Sequence, residues 1–261
     1  MKKTRIDRLP EGIPSGVARL LTGGAVYDSS CSPEARVYYV EKDGGYYLKL
    51  AQSGTLGREA EMTRYFHSKG LGAEVIAYER GTRDLLLTRR VRGEDLTHGV
   101  YLSSPARLAT RLGEELRRLH ETDATNCPVT DRMSEYLALA DRNYATDNYD
   151  KSHFPDSFGY ASAEDARRVL DEGRGLLKNE VLIHGDYCLP NVMFDGWELS
   201  GFIDLGNGGI GDRHVDLFWG AWTLGFNLGT DAYRELFFDA YGRDKIDKEI
   251  LSVIAAAEVF G

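Results

Sequence analysis

The stretch that most constrains this chain runs from Leu182 to Gly206, LIHGDYCLPNVMFDGWELSGFIDLG. An apolar run, Val181-Leu182-Ile183, leads into His184-Gly185-Asp186, and Asn191 stands five positions after Asp186. Val192-Met193-Phe194 follows, then Asp195-Gly196, a second apolar-rich run and Asp204-Leu205-Gly206. Asp-Gly between two apolar segments is a strong hairpin signal. The expected structure is a loop carrying Asp186 and Asn191, then a hairpin whose exit presents Asp204. Folding back in this way would bring Asp204 beside the other two, although it lies 18 positions beyond Asp186. Two carboxylates and an amide oxygen on loops are hard ligands suited to Mg²⁺ with bound phosphate.

The order of these motifs is that of a kinase catalytic loop followed by a metal-binding loop. HGDxxxxN and then IDLG, in place of HRDxxxxN and DFG, resembles the aminoglycoside phosphotransferases, which are small-molecule kinases with a protein-kinase-like fold. GFIDLG followed by GDRHVDLFW is most similar to the 3'-phosphotransferases. The resemblance implies an α+β, two-lobed fold: a small antiparallel sheet with one helix, then a mostly helical lobe. Mg²⁺ and ATP, with GTP as an alternative donor, would sit between the lobes.

The rest of the chain reads consistently with that fold. Ala25 to Tyr27, Val37 to Val40 and Tyr46 to Leu50 are short β-branched or aromatic runs, the last two separated by Asp43-Gly44-Gly45. Leu56 to Lys69 reads as a helix stopped at Gly70, and Val75 to Tyr78 and Leu85 to Thr88 complete the sheet. Beyond Gly93 the pattern is helical. Ser104-Pro105 opens a helix with Leu108, Leu112, Leu116 and Leu119 on one face. Ser162 and Asp165 form a capping-box-like start for a helix reaching about Leu177. Further helices are expected over Asp212 to Leu224, Thr230 to Tyr241 and Lys248 to Phe260. The boundary is placed at Arg89 to Gly93, giving a nucleotide-binding lobe over 1–92 and a catalytic and substrate-binding lobe over 93–261.

Several residues acquire roles from the resemblance. Asp186 matches the catalytic residue that orients the acceptor hydroxyl and takes its proton; Asn191 and Asp204 match the metal ligands. Lys49, in YYLKL, matches the lysine that contacts the nucleotide phosphates, and Glu59 the acid that pairs with it. Glu61 is a rival, but helical geometry sets the two glutamates about 200° apart, so only one can face the lysine. Glu59 is favoured. Ser32, in DSSCSP, is the candidate phosphate contact, and the backbone near Arg89 and Arg90 the candidate adenine contact. His184 and Asp216 are expected to hold the catalytic loop rather than to react. The substrate side departs from the family pattern. Asp150 and Asp156 remain from an acidic loop in which Lys151 and His153 interrupt, Asn207 replaces an arginine, and Glu258 and Phe260 echo an acidic end that Gly261 extends by one residue.

Composition sets the outer bounds. The chain has 261 residues, 42% apolar and 28% charged, as expected of a globular protein with a core. A net charge of −9 argues against nucleic acid and makes cationic small molecules candidate partners, though solubility alone accounts for such a charge equally well. Cys31, Cys127 and Cys188 show no metal-type spacing and suit reduced thiols in the cytoplasm. No run approaches the ~18 apolar residues of a membrane span, and a monomer or weak dimer is expected. Gly206 to Gly211 satisfies G-x-G-x-x-G, but about 50 helical residues follow where a dinucleotide-binding domain needs further βα units. Two alternatives to aminoglycoside phosphorylation stay open: kinase action on another hydroxylated metabolite or antibiotic, and an idle nucleotide-binding module. The complete set of Lys49, Asp186, Asn191 and Asp204 speaks against the second.

Overall fold

The computed structural model describes residues 3–150 and 159–261. In chain order the elements are β1 (Thr4–Ile6), α1 (Ser15–Leu21), β2 (Ala25–Asp28), β3 (Ala35–Glu41), β4 (Tyr46–Gln52), α2 (Gly57–Ser68), β5 (Val75–Arg80), β6 (Arg83–Arg89) and β7 (Glu94–Asp95). Then come α3 (Gly99–Leu102), α4 (Pro105–His120), α5 (Arg132–Ala145), α6 (Ala163–Gly173), β8 (Val181–Ile183), β9 (Val192–Asp195) and β10 (Glu198–Phe202). The chain finishes with β11 (Gly209–Gly211), α7 (Arg213–Leu228), α8 (Arg234–Tyr241) and α9 (Lys248–Glu258). It divides into two compact units, Met1–His98 with Pro190–Asn207, and Gly99–Leu189 with Gly208–Gly261. The β9–β10 hairpin is thus grouped with the strand-rich unit, whereas the sequence divides the chain once, at 92.

In the first unit six strands pair in the order β1-β2-β3-β4-β6-β5, each antiparallel to its neighbour. Period-two alternation sends Tyr46, Leu48 and Leu50 of β4 to one face, where they join Val26, Val40, Leu85 and Leu87 under Val17 and Leu21 of α1. Tyr47, Lys49 and Ala51 therefore point to the other face. There α2 packs, with Leu56 and Ala60 against Leu86. The expected single helix of this unit is accompanied by a second, α1, which is too short at 7 residues to announce itself by periodicity. The β9–β10 hairpin pairs with β7. Its register sets Asp195 opposite Glu198, so the two-residue loop is Gly196-Trp197, one position later than the sequence suggests. Gly196 at φ 66° supplies the positive dihedral that such a tight loop needs at its first position.

The second unit is built on helices. Leu108, Leu112, Leu116 and Leu119 of α4 are all at most 1% exposed, and burying each contributes about 1.5–3 kcal/mol. Leu170 of α6, Ile183 of β8, Val215 of α7 and Ile254 of α9 meet in one apolar cluster. Ser162 caps α6, its hydroxyl accepting from Asp165 N–H at 3.1 Å, and α6 ends at Gly173 before a short 3₁₀ turn rather than reaching Leu177. Asp212 and Asp247 cap α7 and α9 in the same way. The glycine-rich run after Asp204 is no dinucleotide loop. Gly209–Gly211 is β11, antiparallel to β8, and a side chain at Gly211 would meet Ile183 Cδ1 at 2.5 Å.

Candidate functional site

Lys49 occupies the middle of β4, with Val37 of β3 opposite it on one side and Leu86 of β6 on the other. Its ammonium donates to Glu59 Oε2 at 2.7 Å and to Asp204 Oδ1 at 2.8 Å. Glu59, rather than the exposed Glu61, faces the lysine, because α2 turns Glu59, Met62, Thr63 and Phe66 inward. Burial by itself would lower the Lys49 pKa; the charges of Asp204 and Glu59 outweigh it and leave the ammonium raised above its usual value. Burial also pushes the Glu59 carboxyl up, against the pull of Lys49. A fixed cation therefore stands on a rigid strand, held by two carboxylates.

Asp204 is placed by its neighbours. Ile203 N–H donates to Asn191 O at 3.1 Å, Leu205 is fully buried, and Asp204 itself adopts φ 60°. That left-handed conformation is sparsely used by residues other than glycine and is tolerated best by Asn and Asp. It leaves the Asp204 side chain 53% exposed. Lys49, Glu59, Asn191 and Asp204 all line one cavity of about 290 Å³ within the first unit. Val37, Leu86, Val91, Met193 and Ile203 give that cavity apolar walls suited to a flat heteroaromatic ring.

The nucleotide-loop and adenine candidates are only partly where sequence reasoning puts them. Ser32 lines the cavity and is exposed. Arg89 lines the cavity, with its N–H given to Glu74 O at 2.9 Å. Arg90 is absent from the lining; its N–H donates to Gly45 O at 3.0 Å and its guanidinium to Gly93 O at 2.9 Å. Val91 also lines the cavity.

Asp186 lies in the second unit, on the loop after β8. The loop is held by buried Asp216, whose carboxylate accepts from His184 N–H and Gly185 N–H, each at 2.7 Å, with His120 Nε2 at 3.2 Å. Asp186 N–H donates to His184 Nδ1 at 3.2 Å, which assigns the proton of a neutral His184 ring to Nε2. Cys188 N–H closes the turn on Asp186 O at 2.8 Å, Tyr187 O–H reaches Leu112 O, and Leu189 N–H reaches Thr223 Oγ1. His184 and Asp216 are thus scaffold, and Asp186 is the partly exposed carboxylate that they present.

Asp150 is exposed, Asn207 is exposed on the 3₁₀ turn after Asp204, and Asp156 lies outside the described residues. The Phe260 ring is fully buried, edge-on to Tyr144 and Tyr149 with centroids 5.2 and 5.1 Å away, and its carbonyl accepts from Asn143 at 2.8 Å. Phe260 is therefore core, and what it positions is its neighbour. Glu258 turns its carboxylate onto Tyr136 O–H at 2.7 Å and Trp219 Nε1–H at 3.0 Å. Burial raises its pKa to about 7, those two hydrogen bonds oppose the rise, and the charge of Asp186 adds to it. Tyr136 and Trp219 are not singled out by the sequence, because the pairing of Tyr136 with Glu258 spans 122 positions.

The chain matches the Phosphotransferase enzyme family over residues 33–251. The protein named "Probable aminoglycoside 3'-phosphotransferase" of Lactococcus lactis subsp. lactis is 46% identical over 262 residues, covering 100% of this chain and 99% of that protein. The aminoglycoside 3'-phosphotransferase of Niallia circulans is 32% identical over 220 residues, covering 82% and 83%. The crystal structure of an aminoglycoside-3'-phosphotransferase of type VIII shares the fold, with a TM-score of 0.79 over 94% of this chain and 97% of that one at 23% identity. Among the described residues no helix is long and apolar enough to cross a membrane. With its motifs, its α+β protein-kinase-like fold and these relatives in agreement, the chain belongs to the phosphotransferase enzyme family.

Proposed function

We propose that this enzyme moves the γ-phosphoryl group of ATP to a hydroxyl of a cationic aminosugar, an aminoglycoside, and so confers resistance to it. The observation that carries the reading is the Lys49 ammonium, fixed between Glu59 and Asp204 in a cavity with apolar walls. A partly buried lysine with a raised pKa stays charged at every physiological pH and can bind phosphate oxygens as a point charge. The two relatives are named as aminoglycoside 3'-phosphotransferases, which gives the substrate class.

Each candidate residue takes a role on this reading. Lys49 holds the nucleotide phosphates and Glu59 holds Lys49. The adenine lies against Val37, Leu86 and Val91. Asp186 orients the acceptor hydroxyl and accepts its proton; phosphoryl transfer depends on position and charge more than on a strong base, so a carboxylate of ordinary basicity suffices. Asp204 and Asn191 fit Mg²⁺, since both line the cavity and carry hard side-chain oxygens, and Mg²⁺ keeps several waters alongside few protein ligands. When bound, the ion neutralises charge on the transferring phosphate. Glu258 meets an ammonium group of the acceptor, and Asp150, Asp156 and Asn207 are further candidates for that task.

The test is coupled nucleoside-diphosphate release from the purified enzyme with Mg²⁺ and ATP or GTP, across aminoglycosides with and without a 3'-hydroxyl. Turnover confined to acceptors bearing that hydroxyl is the expected result. Turnover with other hydroxylated compounds alone would move the acceptor class, and nucleotide binding without turnover on any acceptor would sink the reading.

A further inference from the structure

Three helices of the second unit each bring one polar side chain to the same buried place. His120 ends α4, Asp216 stands in the first turn of α7, and Tyr241 ends α8. Helix α8 can lie this close because α4 carries Gly113, where a side chain would meet Phe237 O at 2.4 Å. Tyr241 and Asp216 are fully buried, and His120 is 6% exposed.

The hydrogen bonds among them run in one direction. Asp216 Oδ1 accepts from Gly185 N–H and Oδ2 from His184 N–H. A carboxylate only accepts, so the contact of His120 Nε2 with Asp216 Oδ2 at 3.2 Å assigns a proton to Nε2. His120 Nδ1 lies 2.8 Å from Tyr241 Oη. Burial lifts the pKa of the Tyr241 phenol to about 12, so it keeps its proton and can donate it to Nδ1. The same oxygen accepts from Arg213 Nη1–H at 3.3 Å, and Arg213 Nε–H is held by Glu180 Oε1 at 2.7 Å. A second proton on His120 would turn Nδ1 into a donor and leave the phenol proton with no acceptor among the described residues. Such an unmade bond in a buried place is costly.

We infer that Tyr241 is a positioning residue for phosphoryl transfer: its O–H fixes His120 as the Nε2–H tautomer, and that N–H steadies the carboxylate that holds the Asp186 loop. The inference rests on the phosphotransferase reading and adds to it a residue of α8 that acts through two others. Without the phenol, the imidazole can exchange tautomers or take a second proton. A ring that turns a lone pair toward Asp216 repels it, and the loop that aims Asp186 loses its fixed geometry. Loss of aim at a catalytic group costs rate more than binding.

The test joins ¹⁵N resonance of the histidine rings to kinetics, for the native chain and for Tyr241→Phe, which keeps the ring and removes the hydroxyl. The His120 signals are identified by their loss in His120→Gln. Near neutral pH the native His120 should carry its proton on Nε2 and none on Nδ1, and Tyr241→Phe should show a mixture of ring forms. In that variant kcat for an aminoglycoside should fall about tenfold. Its Kd for Mg²⁺·ATP should stay within about twofold of native, because the residues lining the nucleotide cavity belong to the other unit. A residue that only packs α8 against α4 would cost stability without moving the ring signals. A native His120 protonated on Nδ1, or on both nitrogens, overturns the inference, as do native ring signals or a native kcat in Tyr241→Phe. The native spectrum decides the matter if Tyr241→Phe does not fold. Silence of the native chain on every acceptor would instead defeat the phosphotransferase reading, and the ring signals would still decide whether Tyr241 fixes the tautomer.

Discussion

Replacing Glu258 by Gln isolates one buried charge. The carboxyl ionises near 4.5 when the chain is unfolded and at about 7 when folded, raised chiefly by burial. Between those values the folded chain holds one proton more than the unfolded chain, so its stability falls as pH rises through this window and levels off above it. A gap of about 2.5 pH units at about 1.36 kcal/mol per unit amounts to roughly 3 kcal/mol. Glutamine keeps an oxygen for Tyr136 and Trp219, which donate to Glu258 Oε1, and has nothing to titrate. Urea unfolding of both proteins at pH 5, 6, 7 and 8 lets the other ionisable groups cancel in the difference. The expected difference is about 0.8 kcal/mol at pH 5 and grows to about 3 kcal/mol in favour of Glu258→Gln at pH 8. A pH-independent difference would refute the assignment of a raised carboxyl. The same group carries a functional signature: a substrate ammonium beside it restores the charged form, so acceptor binding near pH 7 should release a proton. Calorimetry in buffers of different ionisation enthalpy reads that proton, and Glu258→Gln should abolish it.

Other residues give sharper tests of position. Asp216→Ala strips the partner from the buried His184 N–H, the part-buried Gly185 N–H and His120, and should cost about 3 kcal/mol in urea unfolding; unchanged stability would mean that the loop is held otherwise. Asp204→Ala should weaken Mg²⁺·nucleotide binding by about tenfold or more, roughly 1.4 kcal/mol, while changing metal-free binding less; equal losses with and without Mg²⁺ would remove the metal role. Lys49→Met should weaken ADP far more than adenosine, and equal weakening of both would place the lysine away from phosphate.

Much of this was legible because the chemistry sits in short local motifs. The turn glycines, the leucine spacing of α4 and the order HGDxxxxN to IDLG each fix a local structure from adjacent residues. What stayed hidden depends on side chains far apart in the chain. Lys49 and Asp204 are separated by 155 positions, and only the wording of the motifs pairs them in the sequence. The α5 helix had a readable signal, an Asp131 cap ahead of buried Met133, Tyr136 and Ala140, but the following polar residues masked its periodicity. That the Arg90 N–H is spent on Gly45 O, 45 positions away, is likewise announced by no residue type.

On the proposed reading Asp186 directs phosphoryl transfer. The most direct measurement mixes a stoichiometric amount of enzyme with Mg²⁺·ATP and a 3'-hydroxyl aminoglycoside, and follows the product by ³¹P resonance and mass. The native chain should give a phosphomonoester on that hydroxyl. Asp186→Ala should bind ATP with native affinity yet form product about 10²–10⁴ times more slowly. Product formation at the native rate by Asp186→Ala, or none by the native chain with ATP bound, would contradict it.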